Sequence, residues 1–571
     1  MLTRPRNSPD VRRDELLFVF ILTAWLCAVL YFDPRLLALM DAADSLFAKA
    51  CVPVFVLCLN GFWFYAIYDV TLTVASALAR RKGEPDLPPT ALCPPVAVLY
   101  TTKNDFRAAS AASCLGLDYP AARLFILDDS TDDGIRREVD AWAAAHPERV
   151  TVLRRQDTRG YKAGNMNRAL EKIGGRYPYF AVCDADGVLP PGFVTKLLPF
   201  FEAYPDAAFV QAAQAGDPDQ PDWFGRRMHT RVFEHYRHFT RAKDRFGFVM
   251  FYGHGALLKT EVWRRAGGFP EIVTEDLAFA ARAREIGYRG YYTESVVCRE
   301  DFPPSYARLR VRSEKWIRGT SEFLKTGFAR FAASPRVPWY EKVDVLAGAV
   351  SHYQSAAMLA FLFLLGALLP AYYDHFRYPG SFFLLPVPDG KTPLEMLVQV
   401  RYHIFWSPDF YLMMALTILG PLLPAVLDLW RKPVSLLRYA ALSQFVFFGS
   451  LVAETAALIV FLATGRAVFR NTHDASSGSA PPAAGFHPNS GAVIGLELAA
   501  AAVFGWLCLS TRNLWFLAPA SALALGPVVL KGGTAGQGRW IRAGLGIPLA
   551  TGALIFGLVT LDLALAWTRG L

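Results

Sequence analysis

The sequence predicts an α/β domain built on a largely parallel sheet and inserted into an α-helical membrane part. Three observations lead there. Apolar residues make up 53% of the 571 residues against 19% charged, and they gather into blocks near the length a helix needs to cross about 30 Å of hydrocarbon. Between Arg80 and about Lys342 no such block occurs. That stretch carries short apolar runs separated by alanine-rich helical segments, the alternation expected of strands and crossover helices in one sheet.

The first apolar block is residues 16–32 and the second 52–68, extending weakly to 78. Arg4, Arg6, Arg12 and Arg13 precede the first block. It is longer than a usual signal-peptide core and another block soon follows, so it reads as a retained anchor. Basic residues favour the cytosolic side, which sets the N-terminus inside; Arg80, Arg81 and Lys82 bring the chain back after the second helix. The expected organisation is a helix pair at 1–80, a cytosolic domain at 81–335 and a C-terminal membrane part at 336–571.

Within the domain, strands are predicted at 95–100, 124–127, 150–153, 179–183 and 208–210, with a helix over 132–145. In such sheets ligands gather at the carboxyl ends of the strands. The clusters there are "TTKND" (101–105), "DDSTDD" (128–133) and "DADG" (184–187). Asp184 and Asp186 alternate along an extended segment, so both carboxylates face one side, and hard oxygens of this kind suit a divalent cation. A solvated Asp-Gly-Pro turn is the competing reading, but three acidic mouths on one sheet edge are hard to assign to three independent turns.

No G-x-G-x-x-G follows the first strand and no Walker sequence occurs, which disfavours a dinucleotide enzyme or a P-loop ATPase. The formal charge of +9 reads as a topology signal and a lipid-facing rim. No nucleic-acid-binding motif is present, so no nucleic-acid partner is expected. The eight cysteines form no C-x-x-C pair, which argues against a disulfide framework or a zinc site.

"ILDDSTDD", "GYKAGNMNRAL" (160–170), "CDADG", "VTEDLAFAARAREIGY" (273–288) and "VRSEKWIRG" (311–319) follow one another in an order and spacing that resembles the membrane-embedded family 2 glycosyltransferases. That group includes cellulose synthases, hyaluronan synthases and osmoregulated periplasmic glucan synthases. The resemblance covers about residues 95 to 325 and the helices that follow. It implies a GT-A-like fold, a nucleotide-sugar donor and Mg²⁺ or Mn²⁺ as cofactor. It gives the metal to Asp184 and Asp186, most directly Asp186, with Asp184 also at the nucleotide sugar. Asp128 and Asp129 are expected at the nucleoside with Asp105 nearby, and Lys162, in a Gly-rich turn, on the nucleotide side.

The resemblance makes Asp276 the general base, with Glu275 beside it towards the acceptor. Thr274 followed by two acids is also a good helix start. The family's Gln-x-x-Arg-Trp pattern stands here as Arg312, Lys315 and Trp316. The two cations are expected at the diphosphate, although lysine lacks the arginine fork, and the Trp316 ring at the acceptor sugar, where it can stack. His254, in "FYGHGALLKTEVWRRAGGF" (251–269), falls in the acceptor-side segment and is equally readable as a core histidine.

Further apolar blocks lie at 345–369, 411–427, 437–462, 492–509, 514–530 and 544–566. If 437–462 crosses fully, Arg466, Arg470, Lys531, Arg539 and Arg542 fall outside. If it lies at the cytosolic surface, or dips in and returns, all five stay inside, as the positive-inside rule favours. The resemblance agrees, because "FRNT" (469–472) partly matches a Phe-x-Val-Thr-x-Lys gating loop, with Asn471 and Asp474 at the Val and Lys places. Residues 466–486 are thus a candidate gating loop, ending in the low-complexity stretch 473–485. Glu454 and Asp69, acids in or near apolar blocks, are pore candidates.

The expected protein is an inverting glycosyltransferase of a bacterial inner membrane, drawing on a UDP-sugar, first of all UDP-glucose, to extend and translocate a β-linked polysaccharide. Its partners are then the donor, the glycan, the bilayer and any export or regulatory proteins. Two alternatives stand beside it: a non-processive enzyme that glycosylates a lipid carrier or glycolipid, and a non-catalytic sugar-nucleotide sensor or transporter subunit.

Overall fold

The computed structural model describes residues 11–41, 45–80, 87–90, 93–368, 408–469, 486–511 and 516–531. The chain divides into two compact units. One comprises Met1–Phe18, Leu72–His352 and Val460–Gly485; the other comprises Val19–Thr71, Tyr353–Ile459 and Phe486–Leu571.

The first unit is built on a seven-stranded sheet. Its strands are β1 (Val96–Thr102), β2 (Ala122–Asp128), β3 (Val150–Leu153), β4 (Tyr179–Asp184), β5 (Ala207–Gly216), β6 (Ala256–Lys259) and β7 (Arg289–Glu300), in the spatial order β3-β2-β1-β4-β6-β5-β7. The first four in that order run parallel, β6 is antiparallel to both its neighbours, and β5 and β7 are parallel to each other. This is the largely parallel sheet that the pattern predicts, in the GT-A-like form that the resemblance implies. All five predicted strands form, and the helix expected over 132–145 is observed as Asp133–Ala144.

Two strands were not predicted, for different reasons. β6 has four residues and follows two left-handed glycines, Gly253 and Gly255. β7 mixes charged with apolar residues, "RGYYTESVVCRE", because it lies at an edge of the sheet and part of it is exposed.

The register explains why the acids meet. Thr102 of β1 pairs with Asp128 of β2, and Thr101 pairs with Asp184 of β4, so three strands end level at one edge. Beneath that edge Val98, Tyr100, Ile126, Ala181 and Cys183 are buried in one core cluster. Burial of such side chains supplies roughly 1.5–3 kcal/mol each, which anchors the strand ends that carry the polar groups.

The unit reaches beyond the expected 81–335. Helix Trp339–Val350 belongs to it because buried ion pairs fasten it there: Arg284 Nε lies 2.6 Å from Glu341, and Lys243 Nζ 3.0 Å from Asp344.

The second unit is helical. Six helices among the described residues are long and apolar enough to cross a membrane: Glu15–Met40, Leu46–Ala79, Trp339–Gly366, Leu412–Leu429, Pro433–Thr464 and Gly491–Ser510, some of them shared between the units. Within the second unit Phe55 stacks on Phe361 with centroids 5.2 Å apart, and the Glu454 carboxylate accepts from Ser355 Oγ. Asp69 sits on helix Leu46–Arg80. The apolar block at 544–566 lies outside the described residues.

One topology expectation narrows. Block 437–462 is part of a single unbroken helix, Pro433–Thr464, of 32 residues. An unbroken helix cannot dip in and return, and its apolar residues surround the axis instead of forming the one stripe that an in-plane helix needs. A crossing here does not carry Arg466 away from the catalytic unit: Arg318 Nη2 donates to Arg466 O at 2.6 Å.

Candidate active site

Asp184 closes β4 and Asp186 lies two residues beyond, both half-buried with Ala185 buried between them. The segment is also a turn, with Gly187 N donating to Asp184 O at 2.9 Å. The turn of "DADG" therefore forms, and it carries both acids. Asp184 Oδ1 accepts from Thr101 Oγ1 at 2.7 Å and from Lys162 Nζ. Burial pushes the Asp184 carboxyl up, but Lys162 and His254 outweigh it and hold the group below the usual range.

Lys162 is not in a loose turn but in the first turn of helix Tyr161–Ile173. Gly160 and Tyr161 before it both have left-handed φ, 72° and 52°. The reversal aims Lys162 Nζ at Asp184 and at Gly253 O, 2.9 Å away.

The acids after β2 are placed differently. Asp128 is buried, with Oδ2 held by Arg154 Nε at 2.7 Å and Oδ1 by Ser130 N at 2.9 Å. Asp129 is gripped by Arg155, Nη2 to Oδ2 at 2.6 Å. The two carboxylates expected at the nucleoside thus each hold an arginine of the following strand end. Asp105 Oδ1 accepts from Thr102 Oγ1 at 2.9 Å and from Lys103 N at 2.8 Å. Asp132 accepts from Gly134 N and Ile135 N, which makes it the cap of the following helix.

On the other side of Lys162, Asp276 opens helix Glu275–Glu285. Thr274 does not cap that helix through its side chain; its Oγ1 donates to Gly319 O at 2.9 Å, which ties the helix start to helix Tyr306–Thr326. A Cβ built on Gly253 would lie 3.5 Å from Asp276 Oδ2 and 3.7 Å from Lys162 Nζ. Asp276 and Lys162 thus flank one glycine. Burial raises the Asp276 pKa, and burial with the neighbouring Asp276 charge pushes Glu275 up to about 8.

Residues 179–429 match the model of the glycosyl transferase family group 2. Residues 179–429 thus carry a family 2 glycosyltransferase segment. Over 256 residues it is 27% identical to the probable glucomannan 4-beta-mannosyltransferase 1 of Arabidopsis thaliana, covering 43% of this chain and 46% of that protein. Over 330 residues it is 24% identical to glucans biosynthesis glucosyltransferase H of Xanthomonas campestris pv. campestris, covering 52% and 50%. The chain thus spans about half the length of the curated relatives it matches. Among solved structures it is similar to the mannosyltransferase PcManGT from Pyrobaculum calidifontis in complex with GDP-Man and Mn²⁺, with 21% identity, TM-score 0.41 and coverage of 65% of this chain and 99% of that one.

The family match begins at β4, so it contains every glycosyltransferase candidate from Asp184 to Trp316 and leaves Lys162 and the β2 acids before it. Of those within it, His254 is not a core histidine. Its Nε2 lies 2.9 Å from Glu300 at the end of β7; burial works against the charged ring, but the Glu300 hydrogen bond and charge raise it to about 9. Lys315 is lowered by burial and drawn back by Glu275 and Asp184. The Arg312 guanidinium lies over the rings of Phe302 and Trp316, at 4.2 and 4.6 Å, with Nε buried and unpartnered, and burial lowers its pKa to about 10. The Trp316 ring is 41% exposed.

Part of the candidate gating loop is described. Phe469 stacks on Tyr161 at 5.6 Å and has Lys315 Nζ 5.2 Å from its ring. Asn471 and Asp474 lie outside the described residues.

The glycosyltransferase site also uses residues that sequence reasoning passed over: Thr101, Arg154, Arg155, Gly253 and Glu300. The arginine doublet after β3 was the one visible signal, a pair of cations directly following a strand. Glu300 had none, since β7 itself was unrecognised.

Mg²⁺ or Mn²⁺ fits the donor set. Asp186 and Asp184 offer hard carboxylate oxygens from one turn, and no cluster of three or more His, Cys, Asp or Glu suited to a metal occurs among the described residues. Diphosphate oxygens and water would complete such a coordination shell.

Proposed function

We propose that this chain transfers glucosyl from UDP-glucose to the end of a β-linked polysaccharide, at the cytosolic face of a bacterial inner membrane, and passes the product through its own helices. The observation that carries the reading is the shared position of Lys162 and Asp276 on either side of Gly253. One displacement needs a base at the acceptor hydroxyl and positive charge at the leaving diphosphate, close together. The acceptor oxygen bonds to the anomeric carbon as the bond from that carbon to the diphosphate breaks, which inverts the centre. The hydroxyl proton goes to Asp276 and the electron pair leaves with UDP.

Lys162, Lys315 and the charged His254 supply fixed cations around the diphosphate. A divalent ion held by Asp186 and Asp184 would act as Lewis acid at the leaving group. Trp316 offers its exposed face to the acceptor sugar, with Glu275 on the same side. Glu275, pushed to about 8, holds a proton at neutral pH and leaves Asp276 as the base.

A second reading concerns the sugar. One relative is named for mannosyl and another for glucosyl transfer, so a mannosyl donor is the alternative to test. The purified chain in micelles is incubated separately with UDP-glucose and GDP-mannose, and product size and released nucleotide are measured. Polymer from UDP-glucose supports the proposal and polymer from GDP-mannose alone overturns the donor assignment. A single sugar on lipid favours the non-processive enzyme, and no turnover with either favours a sensor.

A further inference from the structure

The Asp129 carboxylate is wholly engaged by Arg155, Nε at 2.9 and 3.2 Å and Nη2 at 2.6 Å. The same guanidinium turns its other N–H groups to two carbonyls of the next turn: Nη1 to Arg159 O at 2.6 Å and Nη2 to Tyr161 O at 2.7 Å. The two side chains are only 5% and 9% exposed, so water has little room to replace any of these bonds. Between the two carbonyls lies Gly160, and Gly160 and Tyr161 are the consecutive left-handed residues that lead directly into Lys162. The fit is close: a Cβ on Gly164 would meet Arg159 O at 2.2 Å and Arg155 Nη1 at 2.8 Å.

Arg154 serves as a contrast within the same doublet. It bonds Asp128, Asp140 and Arg136 O, all away from this turn. Only Arg155 reaches the backbone that carries Lys162.

We propose that Asp129 and Arg155 are a positioning pair for the donor lysine: Asp129 fixes the guanidinium plane, Arg155 fixes the left-handed turn, and the turn delivers Lys162 Nζ to the diphosphate side of the site. Asp129 thereby acts on the donor lysine through Arg155. The arrangement needs the planar fork, because a lysine has no rigid set of donors to hold a carboxylate and two carbonyls in one plane. The inference rests on the proposed role of Lys162 at a nucleotide donor.

The test uses the full chain in micelles, with UDP binding by calorimetry, donor KM and melting temperature for wild type, Arg155→Lys, Asp129→Asn and Arg284→Lys. The last weakens a comparably buried pair with Glu341, remote from this turn, and controls for general loosening. Arg155→Lys and Asp129→Asn should raise UDP Kd and donor KM together by about 10-fold, the scale of one lost charge-assisted hydrogen bond, while Arg284→Lys moves only the melting temperature. A folded Arg155→Lys or Asp129→Asn protein with wild-type UDP affinity overturns the pair, and so does an equal loss of affinity in Arg284→Lys. Should Arg155→Lys fail to fold, Asp129→Asn carries the test alone. Failure of the wild type to bind UDP is a separate result, which removes the donor reading itself.

Discussion

The acids after β2 and the acids after β4 look alike in sequence, and the structure treats them in opposite ways. Asp128 and Asp129 each have an arginine of their own and little exposure. Asp184 and Asp186 lie half-buried on a turn, and Asp184 shares one oxygen between Lys162 and Thr101. A carboxylate paired with a buried arginine contributes to structure, because removing it leaves a cation without a partner. A carboxylate that engages one oxygen, as Asp184 does, retains the other for a ligand. The acid's chemistry is the same in both places, and the neighbours decide its use.

The largest effect should come from Asp276, the base of the proposed mechanism. Asp276→Asn keeps shape but cannot take a proton, and turnover is expected to fall by roughly 10²- to 10⁴-fold with UDP affinity unchanged. Calorimetry and initial rates on one preparation check this; joint loss of both would move Asp276 to the nucleotide site.

Next comes the direct comparison of the two mouths. Asp128→Ala should lower stability by about 3 kcal/mol, the cost of stranding a partly buried cation, read from chemical unfolding. Asp186→Asn should leave stability near wild type and abolish metal-dependent turnover, as excess chelator does to the wild type. Full activity in chelator would remove the metal role. A stable Asp128→Ala protein would erase the contrast.

Trp316→Ala tests the acceptor end. Loss of stacking worth about 0.5–1.5 kcal/mol should cut polymer yield while UDP release by hydrolysis persists. A parallel fall in both activities and in melting temperature would assign the ring a structural role.

The smallest effect is the pH dependence of Glu275. Its folded pKa, about 8, lies above the ordinary value, so the folded state keeps a proton that the unfolded chain has lost. The resulting stability is complete at acid pH and is lost as pH rises through about 8. Glu275→Gln should therefore gain melting temperature relative to wild type between pH 6 and 9, and a constant difference would contradict the shift. The raised pKa of Asp276 has the same sign: turnover should fall on acidification earlier than for an ordinary aspartate.

Much of this protein was legible as sequence. Strand ends that carry acids, a left-handed Gly before Lys162 and a Thr-Glu-Asp helix start are local patterns, and local patterns follow from dihedral preference and side-chain alternation. The apolar blocks were equally legible, since hydrocarbon thickness sets their length. What remained hidden depended on contacts between distant residues. The Arg154 and Arg155 partners lie 26 positions from the acids they fill. His254 and Glu300 meet because β7, an edge strand without a clean alternation, returns beside β5, close to the segment that carries His254. The bond from Arg318 to Arg466 O, 148 positions apart, was likewise beyond a charge count. Sequence by itself determined which residues have the chemistry of a nucleotide-sugar site. Tertiary structure decided which of those carboxylates remain open to a ligand, because availability depends on the partners that folding brings to each oxygen.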